Sequence, residues 1–264
     1  MIFTVQVVDW QQSVLDNSQP VSNHVWKHTM KMLDLLRQHD ITATFFIENK
    51  VAIKYPVLVR KILAADHEVA CLIDKPYNKD TFQHDSKQAI ENLQDIAGEK
   101  IIGIRTREIN LRQTNFDNYC TCLQSLGIKY DSSISTNLSV EKLEDNNPSM
   151  GAFKAYDIAL YKQPVIAALP GIRRPFIGFG GSSFRLLPYE LSAMLAGKLD
   201  RQHAVFHIPV YDMGVNEYTE LKSGFQLPWR SKLDFYNRNT IADKLHKLFG
   251  DFPFDSFANQ YDLT

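Results

Sequence analysis

From residue 2 onward, short apolar runs alternate with longer stretches in which apolar residues recur every three or four positions. The first pattern marks buried strands and the second amphipathic helices. Residues 2–9 read as a buried strand. Residues 22–39 read as a helix, with Val25, Met32, Leu33 and Leu36 on one face and Ser22 or Asn23 as its cap. A second strand is expected at 41–47, a helix opened by Pro56 and running to about 65, and a third strand at 67–73. A helix over about 80–97 ends at Gly98, a strand follows at 101–104, and a helix over 114–126 stops at Gly127 before a strand that begins at Lys129. Repeated strand–helix units favour a parallel sheet, and at this length a barrel.

The second half is less regular. Residues 136–151 are polar and read as a loop, and 176–181 as a Gly/aromatic turn. A helix near 188–199, a strand at 203–208, an irregular segment at 212–237 and a terminal helix at 239–248 complete the reading. No repeat or linker breaks the pattern, so residues 1–264 are expected to form a single domain.

Composition adds mainly exclusions. Hydrophobic residues make up 44% and charged residues 22% of the 264, enough for a large core. A net charge of −1 and no basic tract argue against nucleic acid as a partner. No apolar run reaches membrane-spanning length, so no membrane span is expected. A strand starting at residue 2 leaves no room for a signal peptide, which points to a cytoplasmic protein. Cys71, Cys120 and Cys122 lack the spacing of a zinc ribbon and read as structural thiols.

Several stretches in order carry a resemblance. They are Val8-Asp9-Trp10, Ala43-Thr44-Phe45-Phe46, His67-Glu68-Val69-Ala70, Arg105 after an Ile-Gly-Ile strand, Tyr130-Asp131-Ser132-Ser133-Ile134, and Phe184-Arg185-Leu186-Leu187-Pro188-Tyr189. Nearly end to end, the chain resembles the NodB-like polysaccharide deacetylases of carbohydrate esterase family 4, most of all the subgroup of bacterial exopolysaccharide gene clusters. The resemblance implies an α/β fold, a distorted, incomplete (β/α) barrel of the NodB/polysaccharide deacetylase type, with its site at the carboxyl ends of the strands. It also implies a hydrolase of N-acetyl groups on sugars. In the family a divalent metal such as zinc polarises the acetyl carbonyl and a water, a carboxylate takes the water's proton, and a His protonates the leaving amine.

The positions matching that machinery are substituted. Gln6 stands at the catalytic base and Val8 at the metal-binding acid. Leu72 and Pro76 stand at the two metal histidines, and Ile208 at the late acid, anchored on Pro209. An amide takes up no proton near pH 7, and aliphatic side chains bind no cation. No metal site, no cofactor and no catalytic residue are therefore expected. Asp9 and His207 are each one residue out of register, so strand alternation turns both to the opposite face. Arg105 matches the residue that steadies the family's catalytic carboxylate, and Arg107 replaces a Pro. The two guanidinium groups are suited to hold a carboxylate or phosphate, or else pair with Glu108 and Asp131.

Two features are set aside. His24 and His28 have helical metal-pair spacing but no Glu beside them and read as an ordinary exposed face; His84 reads as a surface residue. Trp10, Tyr211 and Trp229 stack on sugar rings only if they line the cleft. The leading expectation is a catalytically degenerate homologue, a pseudoenzyme, with Gln6, Asp9, Trp10, Arg105, Arg107, His207 and Tyr211 around a bound ligand. That ligand is a saccharide or nucleotide-sugar, or else a partner protein of polysaccharide biosynthesis. The alternatives are an active carbohydrate N-deacetylase rebuilt on Asp9, Asp74 and His207, and a protein–protein scaffold whose cleft is plugged by Leu72 and Ile208.

Overall fold

The computed structural model describes residues 1–16, 18–73, 81–106, 113–133, 150–153, 158–161, 180–199, 201, 204–222 and 231–263. The strands are β1 Ile2–Val7, β2 Thr44–Glu48, β3 Glu68–Ile73, β4 Gly103–Thr106, β5 Tyr130–Asp131, β6 Met150–Phe153, β7 Ile158–Tyr161 and β8 Val205–Pro209. They form one eight-stranded sheet in the order β6-β7-β5-β4-β3-β2-β1-β8. Every pairing is parallel except β6 with β7. The helices are α1 His24–Gln38, α2 Asn49–Lys54, α3 Pro56–Leu63, α4 Phe82–Ala97, α5 Gln113–Ser125, α6 Gly181–Leu186, α7 Tyr189–Ala196, α8 Glu217–Lys222, α9 Ser231–Phe235, α10 Ile241–Asp251 and α11 Phe257–Tyr261.

The sheet curls. On β4, Nη2 of Arg105 reaches Oγ1 of Thr4 on β1, 3.1 Å away. Those strands are three places apart, about 14 Å on a flat sheet. Tyr130 on β5 likewise reaches back to Glu68 on β3, with 2.7 Å between its hydroxyl and Oε1. The sheet is therefore an incomplete barrel, open between β8 and β6. Strand alternation divides it into two cores. Outward residues such as Phe3, Val5, Val7, Phe45, Ile47, Val69, Cys71, Ile104 and Phe206 pack under the helices. Inward residues Ile2, Val8, Phe46, Ala70, Leu72, Tyr130 and Val205 form a smaller core, which Phe257 of α11 closes at the amino ends of the strands.

Local signals explain most boundaries. Pro56 stands at the first turn of α3. Gly98 ends α4 in the left-handed conformation, at φ 77°. The expected strands and helices of the first half are present, with ends displaced by a few residues. No local pattern announced α2, the π-helical turn Gln11–Leu15, strands β6 and β7, or α11. The segment expected to be irregular, 212–237, carries α8 and α9 after a 3-10 turn, Val210–Met213; residues 223–230 lie outside the described residues. Most of the loop expected at 136–151 and of the turn at 176–181 also lies outside them. Among the described residues no helix is long and apolar enough to cross a membrane.

Candidate functional site at the carboxyl ends of the strands

Arg105, next to last in β4, faces inward and is buried. Nε donates to the carbonyl of Ser132 at 3.1 Å, and Nη2 donates to Oγ of Ser132 at 2.7 Å and to Oγ1 of Thr4. Thr4 in turn donates to the carbonyl of Phe206 at 2.7 Å. The guanidinium carbon lies 4.1 Å from the centre of the Phe46 ring. All these partners are neutral, and Nη1 has no hydrogen-bond acceptor. The suggested pairing with Asp131 is not made. The Asp131 carboxylate accepts from the Tyr119 hydroxyl at 2.7 Å and from the Ser133 amide at 2.8 Å, and acts on Arg105 only at longer range. Burial lowers Arg105 to about 9, opposed by Tyr130 and Asp131.

The late His requires a correction. Residue 208 does not face the site, because Ile208 packs in the outer core with Phe206. In the parallel pairing of β1 with β8, His207 lies opposite Thr4, so the two side chains share the inner face. Alternation was the right rule, but Pro209 was the wrong anchor. The His207 imidazole is fully buried; burial, then Arg105, lowers it to about 3, and it is neutral at physiological pH. Gly180 and Gly181 wrap it. A Cβ on Gly180 would stand 2.7 Å from Nδ1, and one on Gly181 2.7 Å from Nε2. Both glycines have positive φ.

The substituted positions offer a cation little. Val8 and Leu72 are buried with Phe46, Ala70 and Tyr130. Gln6, half-buried, is the inward residue beyond Thr4 toward the mouth. Pro76, Asp74, Arg107 and Trp229 lie outside the described residues. Among the described residues no group of three His, Cys, Asp or Glu side chains comes together. The side chains of Gln6, Val8 and Leu72 do not fit a divalent metal, which needs three or four anionic or imidazole donors.

The remaining expected ligand residues are occupied elsewhere. Asp9 is buried; one carboxylate oxygen accepts from the Gln11 amide at 3.1 Å and the other from the Ser22 amide. It fixes the turn after β1. Trp10 is also buried, edge-on to Phe235 with ring centres 4.5 Å apart. Tyr211 is half-buried beneath the guanidinium of Arg238, 5.1 Å from its ring centre. The His24–His28 pair also differs from expectation. His28 is buried against Gly214, and burial lowers it to about 3. Only His24 remains partly exposed, 3.6 Å from Glu220. α1 turns the face bearing Val25, His28, Thr29 and Met32 inward, so the helical pattern continues through the imidazole. His84 is exposed, as expected.

Sequence reasoning missed a buried ion network beside the mouth. Arg185 of α6 pairs with Asp212. Arg238 pairs with Glu217 of α8 at 2.8 Å and stands 3.7 Å from Asp212. Arg238 also covers the Phe235 ring at 4.0 Å. Burial raises Asp212 despite both guanidinium groups, and raises Glu217 to about 7. The four residues come from separate elements without a common spacing; only Arg185 falls in a stretch that the sequence singled out.

Comparison with known proteins places this arrangement. Residues 22–129 match the family described as Polysaccharide deacetylase. No curated protein matches the sequence. Among solved structures, one from Mycobacterium smegmatis assigned to the polysaccharide deacetylases is 17% identical, with a TM-score of 0.52, covering 94% of this chain and 90% of that one. A wild-type CE4 family pseudoenzyme from Bacillus anthracis is 8% identical, with a TM-score of 0.50, covering 98% of this chain and 64% of the other. At such identities these two structures speak for the fold alone. Over residues 22–129 the chain is similar to the polysaccharide deacetylase family, and it shares the fold of the NodB-like carbohydrate esterases of family 4.

Proposed function

We propose that this chain is a non-hydrolytic member of its family, a pseudoenzyme of the exopolysaccharide type, that binds a saccharide at the barrel mouth. One observation carries the reading. The inner face at the carboxyl ends presents Gln6, Val8 and Leu72, and two of these are closed into an apolar core. Such a surface holds no metal, and without a Lewis acid there is no activated water. His207 faces inward but is neutral and enclosed by glycine backbone. The rebuilt-site alternative loses Asp9, since backbone amides take both of its oxygens.

Arg105 supports a choice of ligand. A buried guanidinium with an unsatisfied Nη1 and, among the described residues, no carboxylate partner suits an acidic sugar, a uronate or another carboxylate-bearing residue. The half-buried Gln6 amide stands where such a group enters.

The test is a pair of measurements on untagged protein. After metal stripping and reloading with zinc, cobalt or nickel, no acetate is released from N-acetylated oligosaccharides. In calorimetry a uronate-containing oligosaccharide binds more tightly than its neutral counterpart, and Gln6→Asp removes that preference by charge repulsion. Acetate release that disappears in His207→Ala would overturn the non-hydrolytic reading. Equal affinity for the acidic and neutral sugars would overturn the ligand assignment alone.

A further inference from the structure

His39 and His246 are brought together only by folding. His39 follows the last turn of α1, and His246 sits within α10. They are 207 residues apart in sequence, yet Nε2 of His39 and Nδ1 of His246 stand 2.6 Å apart. The rings are tilted, with centres 4.9 Å apart, and Phe249 meets the His39 ring edge-on. His246 is exposed and His39 half-exposed. One facing nitrogen donates this hydrogen bond and the other accepts it, according to tautomer, and a ring nitrogen that carries no proton is a metal donor.

We propose that this pair is a surface site for a late first-row divalent cation, copper, nickel or zinc, which bridges the first long helix to α10. Imidazole nitrogens bind zinc at 2.0–2.1 Å, so two ligands of a tetrahedral ion are about 3.3 Å apart. The present separation of 2.6 Å needs to widen by about 0.7 Å, a change that ring rotation supplies at a solvent-facing position. Phe249 backs the His39 ring from one side and restricts its alternatives. No third His, Cys, Asp or Glu joins the pair among the described residues, so water completes the coordination. That donor set selects for imidazole-preferring ions and against magnesium and calcium, which require several oxygen ligands. The order of affinity is copper first, then nickel and zinc.

This site is independent of the barrel mouth, and it bears on how metal content is interpreted. An ion that is lost from both the His39→Ala and His246→Ala proteins belongs to the His pair and implies no hydrolytic centre.

The test uses the untagged full chain titrated with copper, nickel, zinc and magnesium ions, read by thermal unfolding and by calorimetry. The expected result is a melting temperature that rises with the first three ions and not with magnesium, with one ion bound per chain. At a free ion concentration 100 times Kd, the folding equilibrium shifts about 100-fold. His39→Ala and His246→Ala each abolish the shift, while His24→Ala, on the other histidine pair, retains it. Both substitutions are at surface positions, and circular dichroism verifies the fold. A wild type that shows no shift, or a shift that survives in either His39→Ala or His246→Ala, would refute the site.

Discussion

Two regions of the molecule bury guanidinium groups and treat them differently. In the network beside the mouth, Arg185 and Arg238 face Asp212 and Glu217, two cations against two carboxylates. Inside the mouth, Arg105 is buried just as deeply, yet among the described residues it bonds to hydroxyls and a carbonyl. Removing an ion from water costs several kcal/mol, and a nearby opposite charge offsets most of that cost. The first region meets this requirement internally and therefore acts as scaffold, tying α6 and α8 to the 3-10 turns at Val210–Met213 and Arg238–Thr240. The second leaves the requirement open at the end of the barrel where family sites lie. The proposed ligand site rests on this difference among the described residues.

Removing one carboxylate from the matched region tests this contrast most severely. Asp212→Asn leaves Arg185 and Arg238 facing a neutral amide, and loss of one partner of a buried pair costs about 3–5 kcal/mol. Urea unfolding monitored by circular dichroism should show the midpoint falling with an unchanged denaturant slope. A loss below about 1 kcal/mol, as for a solvent-exposed pair, would mean that the network contributes little and that the two regions do not differ in kind.

The fold was far more legible in the sequence than the site, and particular residues explain why. β1 to β4 stand out because runs such as Phe45-Phe46-Ile47 are buried on both faces and need no partner to be recognised. α11 is short, and its burial depends on Phe257 stacking on Tyr130, 4.5 Å between ring centres, a contact that no local pattern announces. At the site, alternation placed Gln6 and Val8 correctly. Anchoring the late motif on Pro209 turned Ile208 inward and His207 away, whereas the parallel register with β1 puts His207 on the inner face beside Thr4. His28 was misread because a histidine within an apolar stripe looks polar in sequence and is apolar in use when neutral. The network of Arg185, Asp212, Glu217 and Arg238 was invisible, since its members meet only through the tertiary fold.

Acid titration distinguishes the regions next, with a smaller effect. Burial holds His28, His67 and His207 at about 3, about 4 and about 3, against an ordinary 6.5. Each is neutral when folded and protonated when unfolded, so its contribution is complete above pH 6.5 and declines as pH falls. Glu217 and Asp131 work in the opposite direction, raised to about 7 and about 6. The folded state holds their protons more tightly, so they favour folding on the acid side. Burial raises Asp212 and Glu68 as well, so four carboxyls oppose three imidazoles and their contributions largely cancel; the informative quantity is the difference between a variant and the wild type. The slope is about 1.4 kcal/mol per pH unit for each unbalanced group. Glu217→Gln removes one contribution that grows on the acid side, so its stability relative to wild type should fall as pH drops from 7 to 4.5, which urea midpoints across this range would measure. A difference that stays constant with pH would show that Glu217 is not raised in the folded state and that burial there is looser than the packing indicates.

The smallest expected effect is the one most specific to the mouth. If Arg105 lacks a counter-charge, supplying one should stabilise the protein. Gln6→Asp places a carboxylate on the inner face, two residues beyond the Thr4 hydroxyl that Arg105 already contacts. A charge-assisted hydrogen bond to the free Nη1 contributes about 1.5–3 kcal/mol, reduced by desolvation of the new carboxylate, which leaves a gain of about 1 kcal/mol. The new Asp would have a lowered pKa beside the guanidinium, so its gain is present above the ordinary carboxylate range and is lost as pH falls through the folded value. Urea midpoints at neutral and acidic pH would show both features. Most substitutions at a well-packed position destabilise, which makes the sign itself informative. A loss at neutral pH would mean that Phe46 and the neutral partners already satisfy Arg105, and the mouth would then be as complete as the network beside it.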